Sequence, residues 1–250
     1  LDAAEQIAEK SLYPIFKEMD RNEPQLENGI VKVHPKMREI IRQFGADGWI
    51  NAIFPYEEGG QQLPWTIHLS AGFILQAANY SASVFPFLTT GAANLIRTFG
   101  SSELRDAFTP KMYSGEWQGT MALTEPDAGS SLSDLSTLAV PTAKEGVYSI
   151  SGQKIYISAG DHDACDNIIH LMLARIQGAP AGTKGISLFV VPKIRIDGTP
   201  NDVLTQGIYH KMGYKGAPIV HLMIGSESAC EGYLVGEAHQ GLKYMFQMMN

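Results

Sequence analysis

Two stretches of this 250-residue chain carry residue types suited to holding a ligand rather than to breaking bonds. The first is Thr124-Glu125-Pro126-Asp127-Ala128-Gly129-Ser130-Ser131, which follows the short apolar run Met121-Ala122-Leu123. It supplies a proline-fixed bend, a glycine and small hydroxyl side chains. Small residues let backbone N–H groups approach an anion closely, as phosphate-cradling loops require. The same composition fits an ordinary Ser-rich loop of a β domain. The second stretch is Lys154-Ile155-Tyr156-Ile157-Ser158. Strand periodicity puts Ile155 and Ile157 on one face and Lys154, Tyr156 and Ser158 on the other. An aromatic ring beside a hydroxyl could hold a flat cofactor ring. The pattern also fits a half-buried strand with a tyrosine packed at its edge.

A third cluster, Asp161-His162-Asp163-Ala164-Cys165-Asp166, has metal-ligand residue types. Ligands crowded into consecutive residues match no standard zinc spacing. The expectation is a hydrogen-bonded turn, and no metal is assigned. No Gly-x-Ser-x-Gly elbow, Walker loop or Gly-x-Gly-x-x-Gly fingerprint occurs. A dinucleotide site here cannot rest on a Rossmann unit.

The elements that position these stretches change character along the chain. Residues 2–19 have few helix breakers apart from Pro14. Met37, Ile40, Ile41 and Phe44 fall on one face of an amphipathic helix. Pro35 suits its first turn and Gly45 and Gly48 its end. Two apolar helical stretches follow at 65–79 and 87–99, then a shorter one at 101–112. From about Gly115, short β-branched runs alternate with turns: Val147–Ile150, Lys154–Ser158, Ile168–Ala174, Gly185–Val191, Val203–Tyr209 and Ile219–Ile224. Such spacing predicts an antiparallel β domain. Ser151-Gly152 is expected to be a tight hairpin turn. From about His239 the pattern is helical again. The fold class is therefore α+β: an N-terminal all-α domain over 1–116, a β-barrel or sandwich domain over 117–238, and the start of a helical bundle from 239 to 250.

Composition narrows the partners. Hydrophobic residues make up 44% and charged residues 18%, ordinary for a globular chain. The net charge of −7 disfavours nucleic acid. Cys165 and Cys230 form no paired motif and are expected as free thiols in a cytoplasmic protein. No apolar run is long enough for a membrane span, and the acidic start Leu1-Asp2-Ala3-Ala4-Glu5 is not expected to act as a signal peptide. The absence of an initial Met, and an apolar run that continues to Asn250, read as a piece of a longer protein.

Four segments taken in order resemble one family. Met121–Ser130 is similar to the "(A/V)-(M/L)-T-E-P-x-A-G-S" signature of the acyl-CoA dehydrogenases. Gly152-Gln153-Lys154-Ile155-Tyr156-Ile157-Ser158 resembles their "G-x-K-x-(W/F)-I-(T/S)" strand. Phe99-Gly100-Ser101 and Pro110–Trp117 resemble the lead-in ending "P-x-(L/M)-x-S-G-E". Gly236–Leu242 resembles the entry to the last helical domain. Ser158–Asp163, Thr183–Phe189, Asn201-Asp202-Val203 and His210–Gly213 look like the long subgroup that includes 3-(methylthio)propanoyl-CoA dehydrogenase. Tyr156 and Ser158 replace the more familiar Trp and Thr, keeping an aromatic plane and a hydroxyl. Asp127 stands where many members have Gly.

The resemblance implies FAD as cofactor and an acyl-CoA as substrate. By the same carry-over, Leu123 and Thr124 contact the flavin's pyrimidine edge, and Gly129 and Ser130 its pyrophosphate. Tyr156, Ile157 and Ser158 line the ring, with the Ser158 hydroxyl near N5. Ser130, Thr183 and Lys184 approach the CoA arm. The family's base is a Glu of the last helical domain, expected beyond Asn250; Glu116, Glu125 and Glu237 do not match it. An electron-transfer flavoprotein is the implied electron acceptor, and a homodimer or homotetramer the implied assembly. Alternatives within the resemblance are an acyl-CoA oxidase and a noncatalytic flavin-binding member. Residues 80–91, with Phe85, Phe87 and Leu88, are candidates for the acyl pocket or, alternatively, helix-core residues.

Overall fold

The computed structural model describes residues 1–249. The chain opens with helix α1 (Asp2–Ile7), a π-helical turn at Ala8–Leu12 and α2 (Tyr13–Arg21). Pro14 lies in the first turn of α2, where its missing N–H breaks no bond within that helix. A small hairpin follows, β1 (Gln25–Glu27) and β2 (Ile30–Lys32). In α3 (Met37–Ala46) the four residues of the apolar face are all buried.

Helix α4 (Trp65–Phe99) joins the two predicted apolar stretches. It breaks at Asn79, whose φ of −163° and ψ of 93° are not helical. Asn79 is buried there as a cap: its Oδ1 accepts from Ala82 N at 3.1 Å, and its Nδ2 donates to Leu12 O at 3.1 Å. Residues 80–86 are thus helical rather than a connection. Helix α5 (Ser102–Tyr113) starts where expected, with the Ser101 hydroxyl accepting from Leu104 N.

The strands are β3 (Trp117–Ala122), β4 (Leu138–Pro141), β5 (Val147–Ser158), β6 (Asn167–Ile176), β7 (Ile186–Pro192), β8 (Val203–Ile208), β9 (Ile219–Ile224) and β10 (Cys230–Leu234). Strand β10 pairs with both β7 and β5, so the order β10–β7–β6–β4–β5 closes on itself as a barrel. β9 and β8 extend from β5. Most pairings are antiparallel, but β3 and β4 both lie parallel to β6. Helix α6 (Gly241–Met249) follows the barrel. Among the described residues, no helix is long and apolar enough to cross a membrane.

The expected hairpin at Ser151-Gly152 does not form. Both residues lie inside one twelve-residue strand that changes partner at that point. Residues 148–151 pair with β4, and 152–158 pair with β9. Gly152 has φ +152°, and a Cβ there would sit 2.6 Å from Thr137 Oγ1. The glycine marks a barrel corner rather than a turn.

Strands β6 and β7 explain how the helical and β parts become one core. Ile169, Leu171, Leu173, Ile186, Leu188 and Val190 pack with Ala92, Ile96 and Phe108 of the helices. The alternate residues Met172, Ala174, Phe189 and Val191 fill the barrel. Burial on both faces is why these strands read as continuous apolar runs. Helix α4 and β3 approach closely at Gly119, where a Cβ would lie 2.5 Å from Ala92 Cβ. Gly119→Ala is expected to destabilise the protein by about 1–3 kcal/mol. A urea-unfolding midpoint equal to that of the unsubstituted protein would refute this.

Candidate functional site

The two ligand-type stretches, some thirty residues apart in sequence, lie against each other. Leu123 and Thr124 leave the end of β3, and Thr124 O accepts from Ile155 N at 2.9 Å. Beneath this contact is a buried ion pair: Lys154 Nζ lies 2.8 Å from Glu125 Oε1, with side chains 0% and 2% exposed. Lys154 Nζ also donates to Leu123 O. The second Glu125 oxygen accepts from the N–H and hydroxyl of Ser136, and Thr137 N donates to the same carboxylate. Burial would raise the Glu125 pKa, but Lys154 and these donors hold it below the usual carboxylate range. Burial pushes Lys154 down from its ordinary value, against the pull of Glu125.

The predicted alternation of Lys154–Ser158 fails for an identifiable reason. Lys154 pairs with Leu222 and Ile157 with Val220, so Ile155 and Tyr156 together oppose a single residue of β9. This β-bulge breaks the expected alternation at Lys154, while Ile155 and Ile157 stay buried and Tyr156 exposed. Lys154 turns inward, and Tyr156, at φ +58°, stands 57% exposed. Its ring meets that of Tyr209 at 4.5 Å. Ile157 points into the barrel core, and Ser158 is half-buried.

The Thr124–Ser131 loop is shaped by a tight turn in which Glu125 and Ala128 exchange backbone bonds at 3.0 and 3.2 Å. Pro126 and Asp127 form its tip, so Asp127 is exposed. Gly129 and Ser130 are exposed beyond it, and a Cβ on Gly129 would meet nothing within 4 Å. Among the described residues, no backbone carbonyl accepts from the N–H of Gly129 or Ser130. The Ser131 hydroxyl is engaged by Ser133 and Asp134, which leaves Ser130 as the forward hydroxyl.

Ser158 also lines a cavity of about 230 Å³ shared with Gln76, Tyr80, Val84, Phe87, Leu88, Gly91, Tyr214 and Met248. Of the three candidate acyl-pocket residues, Phe87 and Leu88 line it. Phe85 does not: it is fully buried, with its ring 4.9 Å from that of His162. Thr183 and Lys184 are exposed and line a separate groove with His239, Gln240, Leu242, Lys243 and Phe246.

The acidic cluster is dispersed by its partners. Asp161 bonds Lys193 and Thr205, Asp163 pairs with Lys32, and Asp166 with Arg38 and Arg42. Among the described residues, no three His, Cys, Asp or Glu side chains converge as a metal site. Cys165 and Cys230 are free and buried, and burial pushes both thiols up to about 12. Such thiols are unreactive.

Sequence reasoning gave Glu125 and Lys154 no structural role, and it missed Gln76, Tyr209, Tyr214 and Met248. No local spacing signals a pair 29 residues apart. The cavity residues come from α4, β5, α6 and the segment between β8 and β9.

Comparison with known proteins agrees with this geometry. Residues 1–116 match the family description "Acyl-CoA dehydrogenase, N-terminal domain", and residues 120–226 match "Acyl-CoA dehydrogenase, middle domain". The 3-methylmercaptopropionyl-CoA dehydrogenase of Ruegeria pomeroyi is 40% identical over 92% of this chain and 39% of its own length. A butyryl-CoA dehydrogenase of Syntrophomonas wolfei is 43% identical over 77% of this chain and 33% of its own. The chain thus spans well under half the length of these relatives. An acyl-CoA dehydrogenase of Bacillus anthracis, solved in complex with FAD, shares the fold with a TM-score of 0.80 at 22% identity, over 99% of this chain and 38% of that one. With a domain match on the helical part, another on the barrel, and both sequence motifs joined at one buried ion pair, the chain belongs to the acyl-CoA dehydrogenase family.

Proposed function

We propose that the intact protein performs FAD-dependent α,β-dehydrogenation of an acyl-CoA thioester. The observation that carries this reading is the single face made by Thr124–Ser130 and Tyr156–Ser158, which meets an apolar-walled cavity at Ser158. The face suits a flavin: backbone N–H groups at Gly129 and Ser130 without partners among the described residues, an exposed aromatic ring at Tyr156, and hydroxyls at Thr124 and Ser158. When bound, FAD supplies the acceptor for the substrate's hydride.

The chain's own residues then bind and orient. Leu123 and Thr124 hold the pyrimidine edge, and Gly129 and Ser130 take the pyrophosphate. Tyr156 covers the ring, Ile157 contributes main chain, and the Ser158 hydroxyl serves N5. Ser130, Thr183 and Lys184 meet the CoA arm. The domain division is 1–116, 117–238 and 239–250, of which Asn250 lies outside the described residues. The catalytic Glu, expected beyond Asn250, also lies outside them. Glu125 is no substitute, because its carboxylate is fully engaged by Lys154, Ser136 and Thr137. Residues 1–250 alone are therefore expected to retain FAD weakly and not to turn over acyl-CoA. An electron-transfer flavoprotein as acceptor, a homodimer or homotetramer, and a cytoplasmic setting complete the reading.

The test is the flavin absorbance spectrum of the intact protein, followed by anaerobic addition of acyl-CoAs of graded length. Bleaching supports the reading, and an unchanged spectrum with every acyl-CoA overturns it. The cavity adds a finer expectation. Phe87 limits its volume, so Phe87→Ala is expected to raise kcat/KM for longer acyl chains about tenfold relative to short ones. An unchanged chain-length profile would remove Phe87 from the pocket wall.

A further inference from the structure

We infer that Arg175 is a positioning residue for the nucleotide end of the CoA substrate, an inference that rests on the acyl-CoA dehydrogenase reading. Arg175 lies near the end of β6, half-buried. Its guanidinium bridges two loops. Nη1 donates to Pro180 O at 2.6 Å and Gly182 O at 3.0 Å, and Nη2 donates to Ser133 O at 3.1 Å.

These are the two loops that bear Ser130, Thr183 and Lys184, the residues proposed above for the CoA arm. Ser133 lies three residues beyond Ser130, and Gly182 immediately precedes Thr183 and Lys184. One side chain therefore sets the separation between the Ser130 cradle and the Thr183–Lys184 turn. Space around it is limited: a Cβ at Gly185 would lie 2.5 Å from Arg175 Nη1. The planar fork of an arginine reaches carbonyls on two loops at once, which a lysine ammonium on a flexible stem does with less order.

Charge supplies the second argument. Among the described residues, Arg175 is in no ion pair with an Asp or Glu, whereas Arg38, Arg42, Arg97 and Arg195 each are. Its contacts are neutral carbonyls, so its positive charge is not cancelled by a bonded carboxylate. In a chain of net charge −7, that charge, held between the Ser133 and Gly182 carbonyls, favours a polyanionic ligand segment. The phosphates of CoA have that character; the acyl tail does not.

The test compares wild type, Arg175→Lys and Arg175→Gln in the intact protein with two substrates of equal acyl chain. One is an acyl-CoA, and the other an acyl-pantetheine lacking the nucleotide. The expected result for Arg175→Gln is a KM for acyl-CoA raised about five- to tenfold, with kcat within about twofold. The KM for the acyl-pantetheine stays unchanged. Arg175→Lys restores part of the acyl-CoA affinity, because it keeps the charge but not the fork. An equal rise in KM for both substrates, or none for acyl-CoA, overturns the inference. Failure of the wild type to bleach with acyl-CoA would instead overturn the functional reading itself.

Discussion

Lys154→Met is expected to be the most damaging substitution of the proposed flavin wall, lowering stability by about 3–5 kcal/mol. The lysine is fully buried, and its removal leaves the Glu125 carboxylate 2% exposed without a counter-charge. The Ser136 and Thr137 donors remain, but they do not neutralise the anion. The substitution also cuts the bond from Lys154 Nζ to Leu123 O, which ties the end of β3 to β5. Retained flavin per mole of protein should therefore fall together with thermal stability. For a chain of this length the loss corresponds to a drop in Tm of roughly 10 °C. The double variant Glu125→Gln/Lys154→Met separates pairing from packing. With no buried charge left, it should regain a large part of the lost stability. A single Lys154→Met variant within about 1 kcal/mol of wild type would show that the pair is not what joins the two segments.

How much of this was legible beforehand varies by residue. The face of α3 was readable because Met37, Ile40, Ile41 and Phe44 obey a local period, and all four are buried. The runs at β6 and β7 were readable because burial on both sides forces unbroken apolar sequence. Gly152 was misread because Ser-Gly between two β-branched runs is locally a turn signal. Its actual role comes from Thr137 occupying the space a Cβ would need and from β9 taking over the pairing, both non-local. The direction of Lys154 was misread because alternation assumes a regular ladder. The bulge at Ile155 and Tyr156 is fixed by the register with β9, which no window along β5 contains. The family motifs survived these errors, since they identify positions without needing side-chain directions. The cavity beside Ser158 was half legible: Phe87 and Leu88 were in view, but Tyr214 and Met248 arrive from distant parts of the chain.

Acidification from pH 6.5 towards 4 is expected to unfold the protein with uptake of close to two protons, taken by His162 and His170. Both imidazoles are buried, 5% and 0% exposed, and burial lowers each pKa to about 4. Their bonding agrees with neutral rings: His162 Nδ1 accepts from Ala164 N, and His170 Nδ1 shares a 2.7 Å bond with the Thr120 hydroxyl. Because the folded values lie below the unfolded value near 6.5, the unfolded chain binds more protons throughout that window. Stability is then complete above pH 6.5 and is lost as pH falls towards 4. The loss amounts to about 3 kcal/mol for each histidine at the low end. Glu125 acts in the same direction, but its carboxylate protonates in the folded state only below the ordinary value of 4.5, so its share appears later. Urea unfolding at half-unit pH steps measures the slope, and His170→Gln should reduce it by about half. Among the described residues, His170 Nε2 has no hydrogen-bond partner, so that variant tests titration with little bonding lost at that nitrogen. An unchanged slope in a His162→Gln/His170→Gln double variant would assign the acid sensitivity to carboxylates instead.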